Sequence, residues 1–201
     1  MHNLQDALAD ISAIRGHIAR GTEFRGYGPA SVAASGLLAL GVAAAQSRWL
    51  KSSEHDFKAF LSVWVATAAL SIILTGIETI ARSRRVHTGL AGEMIYSAAE
   101  QMLPSLMAGL LLTIVIAHFA PHEVWMLPGV WEVIFSLGIF ASCRFLPRLM
   151  FGIGLWYLAA GLCCLALGSV GSFSSWAMGI PFGVGQLLVA VVLQFRYREK
   201  G

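Results

Sequence analysis

The sequence predicts an all-α polytopic integral membrane protein, a bundle of six transmembrane helices preceded by an amphipathic cytoplasmic helix. Three observations carry this. Of the 201 residues, 57% are hydrophobic and only 12% charged, whereas a water-soluble surface calls for roughly 25% charged residues. The chain divides into six apolar stretches of about the length that crosses a bilayer as a helix. Arginines gather at the ends of those stretches: Arg82, Arg84 and Arg85 follow the uncharged run 59–77, and such a cluster resists translocation and stays on the cytoplasmic side.

Once the segment at Arg82 is fixed inside, every other connection follows by alternation. Arg15, Arg20 and Arg25, the cluster at Arg82, Arg144 and Arg148, and Arg196, Arg198 and Lys200 then face the cytoplasm, eleven of the fourteen basic residues. Arg48, Lys51 and Lys58 remain outside. This bias predicts both termini on the cytoplasmic side of a cell (inner) membrane, with the lipid bilayer as the first partner. Residues 1–28 carry no short apolar signal-peptide core, so the first transmembrane helix is expected to act as its own insertion signal. The net charge of +3 comes from arginines at segment ends, not from a basic groove, and nucleic acid is not an expected partner.

Two regions follow, 1–28 outside the bilayer and 29–201 within it. In 3–20, Leu4, Ala7, Leu8, Ile11, Ile14 and Ile18 recur at three- and four-residue spacing, the period of an amphipathic helix. Asn3 can cap its start, while Asp6 and Asp10 near one end and Arg15 and Arg20 near the other suit the helix dipole. Two uses stay open for the stripe. It can lie on the membrane surface, or the face of Leu4, Leu8, Ile11, Ile14 and Ile18 can dock a partner helix or a second copy.

The six spans are expected at about 30–45, 57–81, 102–119, 129–143, 149–167 and 173–195. The first is rich in Ala, Gly and Ser, residues that let helix backbones approach closely, and is expected inside the bundle. Residues 86–101 are expected to form a second cytoplasmic amphipathic helix running into span three, with a kink at Pro104. Residues 121–128 read as an outer loop. In span six, Gly179-x3-Gly183 with Pro181 reads as a packing motif or a break.

The two halves share a pattern. Trp64-x3-Ala68-x-Leu70-x5-Gly76 in span two matches Trp156-x3-Ala160-x-Leu162-x5-Gly168 in span five. Gly109 and Phe119 of span three match Gly185 and Phe195 of span six at equal separation, and Ala45-x2-Arg48 matches Ala141-x2-Arg144. Two readings stand: chance similarity among apolar helices, or a 3+3 inverted repeat of the kind many transporters use.

Ionisable groups in the spans are the natural candidates for function, because each is costly there unless paired or wetted. Glu78 lies one turn before Arg82, so an i,i+4 ion pair at the interface is the plain reading and a carboxylate lining an inward-facing cavity the sharper one. Glu132 and His118 are both placed near the outer face, either reaching headgroup water or meeting as a proton- or cation-binding pair. His118 and His122 have the spacing of metal ligands on a helix, but Pro121 spoils that geometry. No metal, haem or other cofactor is predicted. Cys143, Cys163 and Cys164 read as packing residues, and no catalytic motif supports an enzyme.

Two functions are therefore expected from the sequence. The first is an accessory, scaffold or sensor-like membrane subunit that meets a protein partner or another copy through its cytoplasmic amphipathic segments. The alternative is a small transporter or channel for a solute or ion, built from an inverted repeat with Glu78, Arg82, His118 and Glu132 near the pathway.

Overall fold

The computed structural model describes residues 28–49, 57–85, 89–143, 149–168 and 174–198, and side chains at all of these except 49, 82–99 and 196–198. The amphipathic stripe from Leu4 to Ile18 and the Arg82 side chain lie outside what is described. Among the described residues the chain is all helical. The helices are α1 (Pro29–Trp49), α2 (Phe57–Arg85), α3 (Gly89–Phe119), a short 3-10 helix (Pro121–Met126), α4 (Leu127–Ser142), α5 (Met150–Leu167) and α6 (Ser175–Arg198). Among the described residues, six stretches are long and apolar enough to cross a membrane: Pro29–Arg48, Phe57–Ala81, Glu100–Phe119, Pro121–Ser142, Met150–Leu167 and Ser175–Phe195. They fit a multi-pass membrane protein and coincide closely with five of the six predicted spans.

The fourth differs. Residues 121–128, predicted as a loop, form the 3-10 helix and the start of α4. Proline is tolerated in the first turn of a helix because the N–H it lacks would have no partner there, and Pro121 and Pro128 both sit at such positions. The preceding break is real: α3 stops at Phe119, and Ala120 leaves helical geometry at φ −136°, ψ 59°, as expected for the residue before a proline. The backbone of α3 runs on unbroken from Gly89, through Pro104, to Phe119.

The helices pack as a row in which α2 lies on α1, α1 on α6, α6 on α5, α5 on α4 and α4 on α3. Small residues set how closely they approach. A Cβ placed on Gly36 would lie 2.8 Å from the Gly183 carbonyl oxygen, and Gly179 sits against Ala43. The Gly179-x3-Gly183 element is thus a packing surface for α1, and α6 continues through Pro181. One apolar core joins Val32, Ile139, Ile153, Tyr157 and Leu193 across α1, α4, α5 and α6. A second joins Ala39, Ala43, Phe60, Trp64 and Met178 across α1, α2 and α6.

With so few polar contacts available in such an interior, buried hydroxyls turn back on their own helices. Ser35 donates to the Val32 carbonyl at 2.7 Å, Thr79 to Thr75 at 2.7 Å and Ser142 to Gly138 at 2.9 Å. Each satisfies a donor that hydrocarbon would leave bare. Three indoles tie helices together: Trp64 Nε1 donates to Gln46 Oε1 at 3.0 Å, Trp131 Nε1 to Thr113 Oγ1 at 2.8 Å and Trp156 Nε1 to the Pro181 carbonyl oxygen at 3.1 Å. The outward faces of α2 and α3 are apolar, with Ile72, Ile73, Ile77, Leu106, Leu110 and Ile114 exposed. Surfaces of that kind suit lipid rather than water.

Candidate functional site

Along α4 the residues Gly129, Glu132, Ser136 and Ile139 recur at three- and four-residue spacing and are all buried. The opposing stripe on α5 is Met150, Ile153, Tyr157 and Gly161. The two helices touch through a pair of glycines: a Cβ on Gly129 would lie 2.7 Å from the Gly161 carbonyl oxygen, and a Cβ on Gly161 would lie 2.7 Å from that of Gly129. This close approach brings α5 over Glu132, whose own Cβ is 3.0 Å from where a Gly161 side chain would begin.

Glu132 is 0% exposed, and neither carboxyl oxygen has a hydrogen-bond partner among the described residues. The Tyr157 hydroxyl shares both properties and lies within electrostatic reach of the carboxyl. Its ring meets Phe135 edge-on, with centroids 4.8 Å apart, and Phe182 at a tilt, 5.3 Å away, and it lies over Gly185 of α6. The Cys164 thiol is beside the carboxyl as well. Its sulfur, however, is directed to the Ala177 carbonyl oxygen at 3.8 Å. Ser136 donates to the Val133 carbonyl at 2.6 Å.

The described cationic side chains lie elsewhere: Arg48 and Lys58 are exposed on α1 and α2. Removing an unpaired carboxylate from water costs several kcal/mol. The site is therefore stable with the acid neutral, or with a positive guest beside it.

This corrects the sequence-based placement. Glu132 was expected to reach headgroup water near the outer face, or to meet His118 there. Instead about 15 Å of helix separates it from Ser142, and about 20 Å of chain from Pro121. His118 is exposed at the end of α3, edge-on to Phe119 with centroids 4.8 Å apart. The structure does not join the two. His122 is exposed as well, and among the described residues no cluster of three His, Cys, Asp or Glu could hold a metal ion.

Glu78 serves a different end of the molecule. Its Oε2 accepts the backbone N–H of Ser31 at 2.9 Å, and its carboxylate fills the space a side chain on Gly28 would need. One helix thus supplies the N-cap of another, where Gly28 has none of its own to offer. The pairing with Arg82 falls outside the described side chains.

The sequence reading does not mark Tyr157 or Gly161, and it takes Cys164 only as a packing residue. The available signal was the match of two stripes, Gly129/Glu132/Ser136 and Tyr157/Gly161/Cys164, in which a glycine on each helix allows the other to come close. Comparison of the chain with protein-family models, with curated proteins and with solved structures finds no match.

Proposed function

We propose that the protein is a small multi-pass transport protein of the cell (inner) membrane, with both termini cytoplasmic, in which the charge state of Glu132 is coupled to movement of a small solute or ion. The observation that carries this reading is a fully buried carboxyl with no partner at either oxygen, held between two helices that fit a bilayer. An acid of this kind is costly to keep in hydrocarbon, and in membrane proteins such groups mark ion and substrate paths. The inverted repeat is matched by part of the packing. Exchanging the halves turns the α1–α2 contact into α4–α5 and the α1–α6 contact into α4–α3, and all four exist, whereas the α5–α6 contact has no comparable counterpart between α2 and α3.

A second reading, the accessory or scaffold subunit, is favoured by the absence of space between α1 and α6 at Gly36/Gly183 and between α4 and α5 at Gly129/Gly161. In this reading the bundle is a rigid body that meets a protein partner or another copy. Charge movement in proteoliposomes on a supported membrane separates the two, with amino acids, sugars, organic cations and metal ions applied in turn. Transport predicts a current with one of these classes that is lost in Glu132→Gln. No current with any class, together with a stoichiometric protein partner after gentle detergent extraction, favours the accessory subunit.

A further inference from the structure

We propose that Glu132 is the proton-binding site of the bundle core, and that Tyr157 converts its charge state into a displacement of α6 relative to α5. The inference deepens the transport reading by naming the coupling ion, and for that consequence alone it rests on it.

The choice of a proton over a metal cation follows from the oxygens on hand. A metal ion that sheds its water must find a replacement shell of oxygens. Among the described residues the side-chain oxygens that flank Glu132 are few, the Tyr157 hydroxyl on α5 and the Ser136 hydroxyl one turn along α4, well short of such a shell. A proton needs a single carboxyl oxygen and no shell.

The groups facing Glu132 are few. From α5 they are Tyr157 and Cys164; α3 presents Met102 and Ser105 to α4, while its Glu100 and His118 are exposed. On α6, residues 175–195 contain no Asp, Glu, His, Lys or Arg. Glu123, in the 3-10 helix, is exposed and accepts the Trp125 indole N–H at 2.9 Å. Nothing charged among the described side chains competes with a proton for this acid.

Tyr157 provides the coupling. Its hydroxyl rests against Gly185 without a hydrogen-bond partner, and only a glycine on α6 leaves room for it. When Glu132 loses its proton the carboxylate becomes a strong acceptor, and a phenol O–H within reach makes a short, charge-assisted bond to it. The ring then leaves Gly185, and the α5–α6 contact changes where Trp156 Nε1 donates to the Pro181 carbonyl oxygen at 3.1 Å. Proton loss at α4 is read out at α6 through one side chain.

Infrared difference spectra of the full chain in lipid nanodiscs, recorded between acidic and alkaline buffer, test this directly. The expected result is a carbonyl stretch of a protonated carboxylic acid that disappears at alkaline pH, is missing in Glu132→Gln and persists in Glu78→Gln. In Tyr157→Phe the band should persist to a pH about one unit higher, the equivalent of one lost hydrogen bond to a charged group. The emission of Trp156, isolated by comparison with Trp156→Phe, should change over the same pH range in the wild type and stay constant in Tyr157→Phe. A band unaffected by Glu132→Gln, or no band at any pH, overturns the proton site. An unmoved midpoint, or a Trp156 signal indifferent to Tyr157→Phe, overturns the coupling. None of these readouts involves flux, so a titrating Glu132 in a protein that moves no solute would sink the transport reading and leave the proton site standing.

Discussion

The carboxylate of Glu78, near the end of α2, accepts the backbone N–H of Ser31 in the first turn of α1 at 2.9 Å. The two residues are 47 positions apart, and the contact closes one end of the α1–α2 pair. It places a negative group at the positive end of a helix dipole and satisfies one of the N–H groups that every helix start leaves bare. Glu78→Ala should therefore cost roughly 1 kcal/mol of stability, the usual worth of an N-cap. Glu78→Gln, which keeps an acceptor but loses the charge, should cost about half as much. Unfolding by SDS titration measures both, and a variant as stable as the wild type would remove the cap from the account.

Pro181 lacks the N–H that would bond the Ala177 carbonyl within α6. The Cys164 thiol takes its place, with sulfur and oxygen 3.8 Å apart. The two residues should therefore be coupled. Cys164→Ala should destabilise the wild-type chain by about 1 kcal/mol by leaving a half-buried carbonyl unmatched. In a Pro181→Ala background, where the helix supplies its own bond, the same change should cost markedly less. Additive losses in the double-mutant cycle would show that the thiol is merely filling space.

Glycines at two positions of α5 should respond oppositely to alanine. At Gly161 a Cβ would meet the Gly129 carbonyl at 2.7 Å and the Glu132 Cβ at 3.0 Å, whereas at Gly152 it would meet nothing within 4 Å. Gly161→Ala should cost about 1–3 kcal/mol by forcing α4 and α5 apart. Gly152→Ala should be neutral or stabilise by a few tenths, since alanine is the better helix former. Equal responses would mean that the glycine contact does not set the α4–α5 distance.

Much of the architecture is legible in the sequence, because long apolar runs punctuated by arginines leave few alternatives to helices of bilayer-spanning length. Helix α2 begins at Phe57 as expected, and α5 and α6 start and stop within a few residues of their predicted spans. Span four starts earlier than the sequence reading has it, because Pro121 and Pro128 both open helical turns. Glu132 then falls near the middle of the stretch Pro121–Ser142 and not in its first turn.

Tyr157 could not be singled out. A tyrosine among Leu, Ala and Gly carries no signal until the facing helix is known, and the face of α5 that meets Glu132 is set by glycine contacts rather than by hydrophobic period. Glu78 was recognised as a candidate on charge alone. Its partner is a backbone N–H on another helix, which no side-chain pattern announces.

The central claim is that Glu132 is a carboxyl buried between α4 and α5, shielded from water and able to hold a proton. Carbodiimide labelling of the chain in native membranes, read by peptide mass spectrometry, tests it most directly. A membrane-soluble carbodiimide, which reacts with the protonated acid, should modify Glu132, while a water-soluble one should modify the exposed Glu123 and leave Glu132 untouched. Modification of Glu132 by the water-soluble reagent, or its indifference to the membrane-soluble one, would contradict the account.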